Sequence, residues 1–318
     1  MVIYAAWTIS VNLQHQAEPS VGAEAAELEY KPLSKGQGNS SKGLFITDFD
    51  GTLLRPDGTL AKCDLDALET LTRSDVRTAV ATGRSLYSFI NSPGIDLPVD
   101  YVIFTMGAGV VTQTDHRLIY QVNMPSGVVA RTLDYLEESE LDFMLHYPVG
   151  ENHRYVYRRV GPENPDFESR IKRYKEFGRP LSSIKRDGFG EAAQFLAVVP
   201  PDRTHEVLSE VVTGLPGLSI VRSTSPMDHE SAWIEFFHPD VSKSKTAAWL
   251  ASSLSIDPGD TMAVGNDYND LDLLEWANQG FVVENAPDDL KCSFRQVASN
   301  NNGGVAEAAS RWLNERYS

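Results

Sequence analysis

Five consecutive residues, Asp48-Phe49-Asp50-Gly51-Thr52, follow the short apolar run Leu44-Phe45-Ile46-Thr47. Two carboxylates at i and i+2, where a strand breaks into a turn, can divide the work of phosphate-ester hydrolysis. One attacks phosphorus; the other protonates the leaving alcohol and later activates water. On this reading Asp48 is the nucleophile and Asp50 the acid and base. Gly51 allows the sharp turn that brings Asp50 back over the site and exposes backbone N–H groups toward a phosphate. An acidic strand-to-turn junction with no chemistry would look the same in isolation, so the surrounding elements have to decide.

Those elements alternate. After Asp48 comes the turn Pro56-Asp57-Gly58 and then a helical period through Leu65, Leu68 and Leu71. A second apolar run, Thr78-Ala79-Val80-Ala81, ends at Thr82-Gly83-Arg84-Ser85, and a third, Tyr101 to Phe104, ends at Thr105-Met106-Gly107-Ala108. Strands that break into small and polar residues at their C-terminal ends are how open parallel sheets build sites. The pattern returns near the far end, with a helix from about Ser242 to Leu254, the strand Thr261 to Val264, the loop Gly265 to Asp270, a helix through Leu274, the strand Phe281 to Val283 and a helix around Val305 to Leu313. The fold class expected is α/β, a doubly wound, mostly parallel sheet. Between about 120 and 232 the composition shifts to aromatic and basic residues with strand-like pieces such as Phe195 to Val199 and a helical piece from Pro165 to Phe177. A stretch so long cannot be a loop, and it reads as an inserted α+β domain. The expected division is a flexible extension over 1–42, a core over 43–120 and 233–318, and the insertion over 121–232.

The 318 residues carry 28 basic and 44 acidic side chains, a formal charge of -16. Such a surface repels polyanions and anionic bilayers, which argues against nucleic acid or membrane as partner while leaving a small phosphate ester admissible in a cation-bearing cleft. Two cysteines, Cys63 and Cys292, lie far apart and in no metal-ligand spacing. That fits a reducing cytoplasm. The apolar start lacks the basic region of a secretory signal. Residues 1 to about 42, ending in the linker-like Ser34 to Ser41, show no steady period; a wrongly assigned start codon is an alternative to a flexible extension. Composition leaves the oligomeric state undetermined.

Asp48 to Thr52 resembles the first motif of the haloacid dehalogenase superfamily of phosphatases, and the superfamily's other motifs follow in order. Thr82-Gly83-Arg84 is similar to the second motif, a hydroxyl that donates to the phosphoryl group, in the form typical of members with a large cap after it; a Thr that only caps a helix is the plainer reading. Val241-Ser242-Lys243 matches the third, a lysine that neutralises nucleophile and phosphate, with Lys245 as competitor. Gly265-Asn266-Asp267-Tyr268-Asn269-Asp270 stands where the fourth supplies acidic metal ligands. There the chain departs from the family, with Asn266 in place of the aspartate that directly follows the glycine.

The resemblance implies a Mg²⁺-dependent enzyme that hydrolyses a small phosphorylated metabolite through an aspartyl-phosphate. It implies a phosphate-binding set of Gly51, Thr82, Gly83, Arg84 and Lys243, and a metal set drawn from Asp48, Asp50, Asn266, Asp267 and Asp270. Either Asn266 ligates through its amide oxygen or the loop shifts so that Asp267 does. Cap placement resembles the subgroup of Cof-type sugar phosphatases, sucrose-phosphate phosphatase and mannosyl-phosphoglycerate phosphatases. In that family the cap excludes water and reads the leaving group. Its polar residues here include His146, Tyr147, His153, Arg154, Tyr155, Tyr157, Arg158, Arg159, Arg170, Lys172 and Arg173, most of them expected on a solvated face. A phosphotransferase or mutase of the superfamily, or a non-catalytic phosphate-binding protein suggested by Asn266, are the alternatives.

Overall fold

The computed structural model describes residues 41–92, 96–160, 164–183 and 189–317. The expected N-terminal extension lies outside them up to residue 40.

The central strand of the larger sheet, β1 (Gly43–Asp48), is buried along its length. Phe45 packs with one apolar layer and Leu44 and Ile46 with the other. A strand covered on both faces has no wet side, which is why its sequence is a continuous apolar run rather than an alternation. Its neighbours are β2 (Val76–Ala81) and β12 (Thr261–Gly265), both parallel to it. Outward from β2 come β3 (Tyr101–Phe104), β4 (Gly109–Thr112) and β5 (Leu118–Gln121); outward from β12 come β13 (Gln279–Val283) and β14 (Arg295–Val297). The last two pairings at the β5 edge are antiparallel and the rest parallel. Helices α1 (Lys62–Arg73) and α9 (Gly304–Tyr317) cover one face, where Leu68, Leu71, Val305 and Trp312 meet Phe45. On the other lie α6 (Lys243–Ser253) and α7 (Leu271–Trp276), through Ala247, Leu250 and Leu273. Each such Leu, Val or Phe side chain removed from water contributes roughly 1.5–3 kcal/mol.

A second sheet is inserted between β5 and α6. Its strand order is β10 (Ser219–Thr224), β11 (Ala232–Phe237), β9 (Gln194–Val199), β6 (Phe143–His146), β7 (Tyr155–Arg158) and β8 (Gly178–Pro180). Strands alternate in two directions here: Phe143, Leu145, Phe195, Ala197, Ile234 and Phe236 pack under α3 (Ser126–Glu138) and α5 (Thr204–Gly214). Met144, Leu196 and Val198 face the opposite way, partly covered by Phe167 and Ile171 of α4 (Pro165–Arg173). Because β11 pairs with β9 and β10 through Phe236 and Phe237, this sheet runs past the expected boundary at 233, and β5 carries the core sheet to Gln121. The apolar run of β11 is compatible with either sheet, and only its pairing assigns it.

Candidate active site

The ends of β1, β2 and β12 lie side by side, with Asp48 in register with Ala81 and Thr47 with Val264. Asp48, the residue after Ala81, and the residue after Gly265 are thereby gathered at one edge. Lys243 arrives from a different direction, as the first residue of α6. The helix is started there by Ser242, whose Oγ accepts the N–H of Lys245. A turn after β3 supports it: Gly107, at φ +101°, accepts the Thr246 hydroxyl at 2.7 Å, and a Cβ on it would lie 2.5 Å from the Ser242 carbonyl oxygen. Only glycine fits that approach.

Lys243 Nζ donates to Asp48 Oδ1 at 2.7 Å and to Asp270 Oδ1 at 2.6 Å, and all three side chains are buried. Burial raises the Asp48 carboxyl to about 7, reinforced by the charge of Asp270 and opposed by Lys243. For Lys243, burial alone would favour the neutral amine, but the charges of Asp270 and Asp48 and their hydrogen bonds hold it well above its ordinary range. One cation between two carboxylates leaves the cluster a negative charge in excess, an arrangement that a further cation would relieve.

The fourth-motif loop is organised by Asp270. Its Oδ2 accepts the N–H of Asn266 at 2.8 Å and of Asp267 at 3.2 Å, so both carboxylate oxygens are engaged. Asp267 Oδ2 turns to the second sheet and accepts the N–H of Thr224. Asn266 turns to the nucleophile. The end of its amide lies 3.1 Å from Asp48 Oδ2, 3.0 Å from the Asp50 carbonyl oxygen and 2.9 Å from Thr52 Oγ1. With its NH₂ at that position, Asn266 donates to all three; with its oxygen there, Thr52 donates to it.

The second orientation tests the donor set against Mg²⁺. An octahedral ion with bonds of about 2.0–2.1 Å separates adjacent ligand oxygens by about 3 Å. The Asn266 amide oxygen has that spacing from Asp48 Oδ2 and from the Asp50 carbonyl oxygen, so it fits beside each of them. Among the described residues no three His, Cys, Asp or Glu side chains converge as a metal site. The set at Asp48 is instead one carboxylate, one backbone carbonyl and one amide.

Other predicted residues sit differently. Arg84 grips the Asp50 carboxylate with two hydrogen bonds of 2.6 and 2.8 Å, touches Ser92 and lies over the Phe49 ring. Asp50 is thus held at the rim and Arg84 is occupied by it, rather than both facing Asp48. Gly51, at φ +81°, makes the expected turn, but its N–H is committed to the Leu54 carbonyl at 3.2 Å. A Cβ at Gly51 would come within 2.7 Å of the Asn266 amide. Thr82 is buried at the end of β2 and accepts the Arg84 N–H; the helix cap is Ser85, three residues on, so neither Thr82 nor Gly83 stands at a helix N-terminus as expected from sequence. Lys245 points away, to the Pro239 carbonyl.

Sequence reasoning missed Thr52 and the task of Asn285, whose Nδ2 donates to the Gly51 carbonyl at 2.8 Å while its Oδ1 accepts the Asn300 N–H. Of the polar residues noted in the insertion, Arg154, Arg158 and Arg159 pair with Glu151, Glu137 and Glu168, and Lys172 and Arg173 are exposed. His146 and Tyr155 are buried.

Fold and site together define an α/β enzyme with a buried carboxylate-lysine cluster at the strand ends and an inserted sheet in contact with it. A model of the haloacid dehalogenase-like hydrolases matches residues 45–308. YxeH of Bacillus subtilis (strain 168), to which a phosphatase activity is ascribed, is 28% identical over 270 residues, 83% of this chain and 96% of its own length. The 5-amino-6-(5-phospho-D-ribitylamino)uracil phosphatase YwtE of the same organism is 26% identical over 85% of this chain and 98% of its own. Among solved structures, the HAD phosphatase BT1666 of Bacteroides thetaiotaomicron shares the fold, with a TM-score of 0.71 at 21% identity over 87% of this chain and 97% of its own. The chain belongs to the haloacid dehalogenase-like hydrolases, as a phosphatase-type enzyme of that superfamily.

Proposed function

We propose that the chain is a Mg²⁺-dependent phosphomonoester hydrolase that acts on a small phosphorylated metabolite, a sugar phosphate or a related compound, through an aspartyl-phosphate on Asp48. The observation that carries the reading is the buried Lys243 clamped between Asp48 and Asp270. Lys243 Nζ bonds Oδ1 of Asp48, the oxygen left to attack phosphorus when Oδ2 faces the ion. Its charge also balances the phosphoryl oxygens as they crowd the nucleophile. Asp48 Oδ2, the Asp50 carbonyl and the Asn266 amide oxygen would hold the ion, which supplies countercharge and brings the Asp48 carboxyl back down to its ionised form.

Asp50 protonates the leaving oxygen and then takes the proton of the water that hydrolyses the intermediate. To do so it leaves Arg84, so the Arg84–Asp50 pair is the resting arrangement. Thr82 steadies the phosphoryl group once its hydroxyl turns from the Arg84 N–H. Regarding the substrate, the relative YwtE is named for a phosphorylated ribityl compound, which supports a hydroxylated carbon chain here.

The test is phosphate release from a panel of sugar phosphates and p-nitrophenyl phosphate, with and without Mg²⁺. Mg²⁺-dependent release that Asp48→Asn lowers by at least a thousandfold is expected. Absence of release from every ester would overturn the reading in favour of a phosphate-binding protein.

A further inference from the structure

The turn that follows β1 is braced by two asparagines that lie 234 and 246 positions further along the chain from the residues they hold. Asn285, past the end of β13, donates its Nδ2 to the Gly51 carbonyl at 2.8 Å. Asn300, on a short turn before α9, donates its Nδ2 to the Leu54 carbonyl at 3.1 Å. The two also hold each other, since the Asn300 N–H bonds Asn285 Oδ1 at 3.0 Å. Each amide meets a backbone group of fixed role, a carbonyl or an N–H, so neither can be reversed without losing its bonds.

What the brace sets is the direction of the Asp50 carbonyl. The peptide between residues 50 and 51 is trans, so its C=O and its N–H point opposite ways. The N–H, that of Gly51, reaches the Leu54 carbonyl at 3.2 Å, the same carbonyl that Asn300 holds. With that end fixed, the Asp50 oxygen is turned the other way. It lies 3.0 Å from the end of the Asn266 amide, which is itself 3.1 Å from Asp48 Oδ2. The next peptide plane is held through its own oxygen by Asn285. Between the two planes sits Gly51, at φ +81°, the residue type with the fewest steric limits on turning one plane against the other. Backbone preference therefore leaves the turn loose, and the two asparagine side chains fix it. The margin is small, because a Cβ on Gly51 would fall 2.7 Å from the Asn266 amide.

A tie that only holds the closing segment to the core is the plainer alternative. The segment is anchored without Asn285, by the Ala298 N–H on Glu307 and by the Ala306 N–H on the buried Asp64 of α1, at 2.8 and 2.7 Å. Asn285 is also exposed, and an exposed amide–carbonyl bond adds little to stability because water offers the same bond. Its placing matters more at the site. Of the three oxygens that meet there, only that of Asp48 carries a full charge; the amide of Asn266 and the carbonyl of Asp50 are neutral dipoles. Their attraction for a hard cation depends on where they point.

We infer that Asn285 and Asn300 are positioning residues for the cation site, holding the Asp50 carbonyl oxygen where it can share an ion with Asp48 Oδ2 and the Asn266 amide oxygen. The inference rests on the reading of these oxygens as the Mg²⁺ site. Both asparagines act through the Gly51 turn, and their bonds go to the backbone of that turn rather than to Asp48 or Asn266.

The test titrates Mg²⁺ into wild type, Asn285→Ala and Asn300→Ala by calorimetry with no substrate present, and melts each protein in EDTA. Asn278→Ala is the control, because Asn278 Nδ2 makes an exposed bond of the same kind to the Gly259 carbonyl at 2.8 Å, at the far end of β12. The Mg²⁺ Kd is expected to rise at least about fivefold in both test variants and to stay within about twofold of wild type in the control. Asn285→Ala in EDTA is expected to melt within about 3 °C of wild type. An Asn285→Ala Kd within about twofold of wild type overturns the inference, and so does a rise in the control as large as in Asn285→Ala. Asn300 is 2% exposed; if Asn300→Ala does not fold, Asn285→Ala decides alone. Failure of the phosphatase reading looks different, as wild-type protein that binds Mg²⁺ and releases no phosphate from any ester, and it leaves the affinity comparison intact. A flat Mg²⁺ titration of the wild type overturns both.

Discussion

Asn266 is the residue at which this chain departs from its superfamily, and its contacts say what the departure does. The end of its amide touches Asp48 Oδ2 and the Asp50 carbonyl within about the same distance. An amide can meet these acceptors in two ways, by donating N–H to them or by turning its oxygen to share a cation with them. An aspartate can do only the second. A carboxylate placed 3.1 Å from Asp48 Oδ2 without a cation would cost on the order of a few kcal/mol at an effective dielectric near 20. Asn266→Asp should therefore melt several degrees below wild type in EDTA and show the larger upward shift when Mg²⁺ is added. Thermal unfolding in the two buffers checks this. Equal Mg²⁺ responses in the two proteins would mean that Asn266 stands outside the cation site.

At the scale of elements, β11 and β6, on either side of β9, hold two titratable groups whose effects on stability oppose one another. Burial raises Glu235 from 4.5 to about 7, against the pull of Arg170, Gln194, Ser223 and Lys243. Between those values the folded chain keeps a proton that the unfolded chain has lost, so stability falls as pH rises from about 4.5 to 7. Burial, helped by Arg170, lowers His146 from 6.5 to about 3. Between those values the unfolded chain binds the extra proton, so stability falls as pH drops through that window. In the wild type the two slopes largely cancel where they overlap. Glu235→Gln removes one of them. Its stability relative to wild type should climb across pH 4.5 to 7 by a few kcal/mol at most and level off above, as read by denaturant unfolding across that range. A difference that stays flat with pH would mean that Glu235 titrates near its ordinary value.

Over the whole molecule, aromatic, polar and apolar contacts among the described residues hold the inserted sheet against the core. Tyr87 of α2 (Leu86–Ile90) stacks on His153 with ring centroids 4.5 Å apart and meets Phe177 edge-on at 5.0 Å. Asn152 bonds Thr105, and Asp267 takes the Thr224 N–H. An aromatic pair is worth about 0.5–1.5 kcal/mol beyond its buried area, so Tyr87→Ala shifts the balance toward parting of the two sheets. Hydrogen exchange of residues 147–154 should accelerate roughly three- to tenfold, with β1 and β12 amides unchanged. Exchange that stays at the wild-type rate would show that the aromatic contact does not hold the sheets together.

The alternating pattern of the chain and four short motifs at its apolar runs were enough to read the α/β class and the insertion and to single out Asp48, Lys243 and Asp270, which the fold brings together, because backbone periodicity and strand-end chemistry are local properties. Where the insertion's sheet stops was hidden, since β11 has the same apolar run whichever sheet it joins. The direction of each acidic side chain in the fourth-motif loop was hidden too. Asn266 and Asp267 are neighbours in sequence, and one faces the nucleophile while the other holds the second sheet. The Arg84 grip on Asp50, and the hydrogen bond between Gln194 and Glu235, join residues 34 and 41 apart in the chain. Sequence alone determined which chemistry the chain could carry, and the tertiary structure decided which side chains meet, because contacts between distant segments depend on strand pairing and packing that no local pattern encodes.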